Sequence, residues 1–222
     1  MPVTLGPQTF GYKIPASETK EGKEHLRAYY EALGRFVDMF ARVETAITLT
    51  LWGYAGTDPT IARIIFAGTQ TKIGAEYIKQ IAKATNAAEE KRSDLEDVLQ
   101  QFGIITGVRN DILHYGATSV AEGSAIVSNA LKAKGEPSFF PISPDTLGAM
   151  TTDLRKIAMH LNYRHLGRPW PRGALGRMAL DEVLRPPWLY KHRVQSSSRT
   201  KAARSLLPRK RGPKPPRQPR SS

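Results

Sequence analysis

Residues 107–116 read Gly-Val-Arg-Asn-Asp-Ile-Leu-His-Tyr-Gly, with four polar or charged side chains crowded among Val108, Ile112 and Leu113. These are residue types suited to proton transfer and oxyanion chemistry. An imidazole exchanges protons near neutral pH, and a guanidinium is a permanent cation with a planar fork of donors. At about 100° per residue, Arg109 falls about 20° from Phe102, in the middle of a stripe formed by Leu95, Leu99, Phe102, Ile105 and Leu113. A guanidinium drawn there must lie in a cleft or find acceptors. Glu44, at the margin of the first helix's apolar stripe, is the expected partner. His114 lies about 140° around from Arg109. The two converge only if the helix unwinds, or if two copies of it face each other across a dimer.

The elements that must position this stretch are helical. After an irregular lead-in over 1–16, a first helix is predicted from Ser17 or Thr19 to about Trp52. Tyr29, Leu33, Phe36, Phe40, Val43, Ile47 and Leu51 recur along it at gaps of three and four, the stripe of a core-facing helix. Asp58-Pro59 is a cap followed by a first-turn proline, opening a short helix to about Ala67. Thr71–Thr85 forms a third helix through Ile73, Tyr77, Ile78 and Ile81. Asn86 is placed to cap a fourth over 87–114, which Gly116 stops. The helical period then breaks. Two short runs around Lys134-Gly135-Glu136 read as a β-hairpin. Pro144-Asp145 opens a last helix through Leu147, Met150, Leu154, Ile157 and Leu161. The fold class is thus mostly α, an antiparallel bundle of four to five helices with a small β-hairpin before the last.

Charge divides the 222 residues sharply. From Gly167 onward there are 15 bases against two acids, and the preceding 166 residues hold 18 of each. The helical domain spans 17–166, and 167–192 is a Pro- and Trp-containing extension whose Trp170, Trp188 and Tyr190 can fold back on it. Residues 193–222 carry ten bases and no acid, so this tail is expected to be disordered. No apolar stretch approaches the roughly 18–20 residues that span a bilayer, and no basic-then-apolar leader is visible, so a cytoplasmic address is the default expectation. With no cysteine, disulfides and thiolate chemistry are excluded.

The run Arg109-Asn110-Asp111-Ile112-Leu113-His114 resembles the signature of the HEPN superfamily: arginine, a polar residue, three more residues, then histidine near the end of a late helix. Helix order over roughly 20–166 resembles that fold as well. The resemblance implies a homodimeric helical bundle and, in active members, a metal-independent endoribonuclease, in some cases a toxin or defence component paired with an antitoxin or other protein. It implies that His114 moves protons, Arg109 clamps phosphate and Asn110 supports, with no cofactor and no metal. Asp111, Tyr115 and Glu44 are supporting candidates. Cleavage through the substrate's own 2′-hydroxyl would leave DNA inert. A non-catalytic module that binds nucleic acid or a protein is the alternative.

In the tail, Arg199, Lys201, Arg204, Arg209, Lys210, Arg211 and Lys214 could grip RNA phosphates without sequence preference; a solubilising extension is the other reading. A second Arg-x4-His, Arg155 to His160, sits in mid-helix and reads as coincidence. His160 and His165, five apart with Arg164 nearby, read as a solvated face. The histidines lack the spacing of metal ligands.

Overall fold

The computed structural model describes residues 20–115, 117–120, 124–128, 139–170, 184 and 186–191. The chain divides into two units, Met1–His192 and Arg193–Ser222, and the second lies wholly outside the described residues. The first unit is mostly helical: α1 (Lys20–Ala55), α2 (Pro59–Ile65), α3 (Thr71–Ala84), α4 (Glu89–Tyr115) and α5 (Pro144–Met159). α1 packs on α3 and α5, and α4 packs on both of those as well.

The long helices form where apolar side chains recur on one face. Phe36, Phe40, Val43, Ile47 and Leu51 of α1 are buried, with Tyr29 and Leu33 packed at the margin. Leu147, Met150, Leu154, Ile157 and Leu161 are buried along α5 and its continuation. Each such side chain contributes about 1.5–3 kcal/mol through removal from water. Arg27–Glu31 and Arg42–Asp38 pairs line the outer face of α1, where exposed ion pairs add little. Asp58 caps α2 by accepting from the Thr60 amide at 2.8 Å. Ser143 caps α5 by accepting from Thr146.

Three expectations are corrected. Asn86 does not cap α4. At φ +52° it ends α3 instead, and the Ala87 amide reaches back to the Ala82 carbonyl at 2.9 Å. That is the left-handed helix stop for which Asn stands in for Gly. Within α3 the buried residues are Gly74, Ile78 and Ala82, leaving Ile73 and Tyr77 exposed. On α4 the buried stripe is Leu95, Val98, Leu99, Phe102, Ile105, Val108 and Ile112, whereas Leu113 is 49% exposed. The buried face at the end of α4 therefore lies on the Ile105 side of the stripe, at Val108 and Ile112.

Three short strands follow α4: β1 (Ala117–Val120), β2 (Ser124–Ser128) and β3 (Phe139–Ile142), antiparallel in the order β1-β2-β3. Ala125 pairs with Ile142 and Ser128 with Phe139. The Lys134-Gly135-Glu136 turn lies outside the described residues. Among those described, no helix is long and apolar enough to cross a membrane.

α5 does not end at Met159 but widens into a π-helical turn over His160–His165. The Leu166 amide bonds the Leu161 carbonyl at 3.0 Å, five residues back, and Gly167 at φ +61° stops the helix. Leu166 can settle against α1 because position 53 is glycine: a Cβ there would stand 2.8 Å from Leu166 Cδ2.

Candidate functional site

At the end of α4, Arg109 is half-buried. Its guanidinium lies over the Phe40 ring, 5.1 Å from the centroid, and donates to Asn110 Oδ1 at 3.0 Å. Phe40 is held in place by stacking on Phe102, with centroids 5.1 Å apart. The ion pair expected with Glu44 is not formed. Glu44 accepts from the Thr71 hydroxyl at 3.0 Å instead, which ties α1 to the start of α3. The reason Arg109 is tolerated on an apolar stripe is therefore the face of an aromatic ring, not a carboxylate. Asn110 and Asp111 are half-buried, and His114 is exposed. The Tyr115 side chain and all seven tail cations, Arg199 to Lys214, lie outside the described residues.

A second polar cluster lies where α4 meets the end of α5, and the expectation of a solvated face is overturned there. His160 and His165 have side chains 7% and 0% exposed, and both converge on Asp94 of α4, itself 12% exposed. Asp94 Oδ1 stands 2.9 Å from His160 Nδ1 and 2.9 Å from Arg164 Nη1. Asp94 Oδ2 stands 2.9 Å from His165 Nε2. The far nitrogen of His165, Nδ1, meets the Tyr54 hydroxyl at 2.8 Å. On a regular α-helix, residues five apart point about 140° away from each other. The π-helical turn, bonded at i to i+5, brings them onto one side.

The electrostatics follow from burial. Desolvation would raise the Asp94 pKa, but hydrogen bonds from His160 and His165 outweigh it and hold the carboxyl far below its ordinary range. Burial, then the charge of Asp94, pushes the Tyr54 phenol up. Although two imidazoles and a carboxylate meet, the nitrogens facing Asp94 are used in hydrogen bonds. Among the described residues, no group is arranged to hold a metal ion.

Beside this cluster is a cavity of about 740 Å3 between α4, α5 and the segment Pro186–Lys191. That segment is strapped down by polar ties. The Leu189 and Tyr190 amides donate to buried Asp153, and Gln101 bridges Asp153 to the Tyr190 carbonyl. The Trp188 indole donates to Asp97 at 3.0 Å, and Lys156 donates to the Pro186 carbonyl. Lys156 Nζ also sits 4.3 Å above the Trp188 ring, and burial lowers its pKa.

The structure thus separates the sequence candidates into an α4 group, Arg109-Asn110 with His114 beyond it, and a cluster built on Asp94 that spacing did not suggest. The available signal was the pair His160 and His165, which reads correctly only on a π-helical turn. No protein-family model, curated protein or solved structure matches the chain.

Proposed function

We propose that the chain is an HEPN-type endoribonuclease that cleaves RNA without a metal or other cofactor and acts as a homodimer. In this reading Arg109 clamps the scissile phosphate, His114 transfers the proton, Asn110 orients the group, and the basic tail holds RNA. Its fold would be the antiparallel bundle of four to five helices with the β2–β3 pair as the hairpin before α5. A toxin or defence setting, with an antitoxin or other protein partner, belongs to the same reading.

The observation that carries it is the state of Arg109. Among the described residues no carboxylate forms an ion pair with its guanidinium, which rests on Phe40 beside Asn110 in a half-exposed position. A fork held so can meet two phosphate oxygens. Two exposed hydrophobics, Leu113 one turn beyond Arg109 and Val37 one turn before Phe40, favour a partner surface nearby. A second protomer could bring its own His114 there.

The test is cleavage of labelled RNA in excess chelator. The expected products carry 2′,3′-cyclic phosphate ends, DNA is untouched, and Arg109→Ala with His114→Ala loses at least about a hundredfold, the lower end of what one acid–base group supplies. Undiminished cleavage by that double variant rejects the assignment. The exposure of His114 favours the second reading, a non-catalytic module gripping RNA or a protein with its tail. Removing 193–222 abolishes RNA affinity under that reading, whereas the enzyme still cuts at raised concentration.

A further inference from the structure

The cavity beneath Pro186–Lys191 lies within the size range, about 300–1,000 Å3, of small-molecule sites. His160 forms part of its wall with Nδ1 committed to Asp94, and Nε2 is buried with no hydrogen-bond partner. With a proton on Nδ1 directed at the Asp94 carboxylate, the neutral form of the His160 ring presents Nε2 as an acceptor. Buried acceptors of this kind are uncommon and call for a donor. Lys156, Arg164 and Lys191 bring three cations to the same wall against Asp94 and Asp97. Asp97 is engaged by the Trp188 indole.

A ligand suited to this wall supplies a hydroxyl to the imidazole and an oxyanion to the cations. We propose that the cavity binds a small phosphorylated molecule bearing a hydroxyl, which donates to His160 Nε2 while the phosphate meets Lys156 and Lys191. Trp188 lies across the imidazole, ring centroids 5.9 Å apart, so admitting the hydroxyl turns the indole off the ring and off Lys156 and releases Asp97. The site shares no residue with the RNA-cleavage reading and stands or falls apart from it.

The test uses the full chain, nitrogen-labelled, titrated in separate arms with glycerol 3-phosphate, inorganic phosphate and sulfate while the His160 Nε2 resonance is followed. Glycerol 3-phosphate is expected to shift that resonance and to bind about tenfold tighter than sulfate, as one good buried hydrogen bond allows. His160→Asn keeps an amide donor near the place of Nδ1 and has nothing at Nε2, so it should bring the phosphates down to the level of sulfate. Tighter binding of the ester than of inorganic phosphate identifies an ester as the ligand; equal binding identifies free phosphate, and both uphold the site. Sulfate binding as well as either, or undiminished binding in His160→Asn, overturns it. Lys191→Ala, at an exposed position, gives an arm independent of folding: weaker phosphate binding supports the proposal, and unchanged binding refutes it.

Discussion

Replacing Asp94 by Asn changes one oxygen to an amide nitrogen and removes the charge on which three donors converge. An Asn can accept at one oxygen, but its NH2 then confronts a donor from His160 or His165. The Arg164 contact contributes least, since that side chain is about a third exposed and water screens it. The two imidazole bonds are nearly dry. With hydrogen bonds to a charged group worth about 1.5–3 kcal/mol each, losing one and weakening the other should cost about 3 kcal/mol. At about 2–4 °C per kcal/mol for a domain of this size, the melting midpoint falls by about 6–12 °C. The pH dependence gives a sharper check. The folded-state pKa of Asp94 is depressed, so its stabilisation is fully present above the unfolded value of about 3.9 and is lost as pH falls below that toward the folded value. Thermal unfolding by circular dichroism at pH 7 and down to about pH 2 should therefore show the gap between wild type and Asp94→Asn closing in the acid limb. A variant within about 0.5 kcal/mol of wild type at pH 7, or a gap that widens with acid, would refute the burial argument.

The remaining expectations concern packing. Gly53→Ala brings a Cβ to 2.8 Å from Leu166 Cδ2, so it should forfeit part or all of the roughly 1 kcal/mol that Ala gains over Gly within a helix; adding Leu166→Ala should restore that gain in a double-mutant cycle, and strict additivity would disprove the contact. Ile112→Ala should lose about 2–5 kcal/mol, while Leu113→Ala should change stability by less than about 0.5 kcal/mol, as read from urea midpoints at protein concentrations low enough to keep the chain monomeric. A reversed order would place the buried face of α4 on Leu113 after all.

How far the sequence foretold this architecture depends on how regular each segment is. α1 and α5 repeat their apolar residues at helical spacing over many turns, so their buried residues are legible from pattern alone. α4 is legible to Ile105 but not beyond, because Ile112 and Leu113 lie about 100° apart, both are apolar, and which of them is buried depends on what packs against the helix end. Asn86 carries two local meanings, a cap or a left-handed stop, and the chain uses the second. The Asp94 cluster was hidden for a different reason. Asp94 lies 66 residues from His160, and the pairing of His160 with His165 depends on a helical geometry that a uniform 100° wheel does not contain. Arg109 was correctly singled out as anomalous, yet its companion proved to be Phe40, since cation–ring contact leaves no charge pattern in a sequence.

The widened turn at His160–His165 also amounts to one extra residue within an otherwise α-helical run. Deleting one residue between the two histidines would restore uniform winding and leave them four apart, about 40° from each other, so that both rings would still share a face. The widened turn absorbs the extra residue, so that His165 takes nearly the place an i+4 residue would hold on a uniform helix. A one-residue change of length absorbed in this turn therefore spares the assembly, whereas substitution at either histidine removes one of the three donor residues on Asp94.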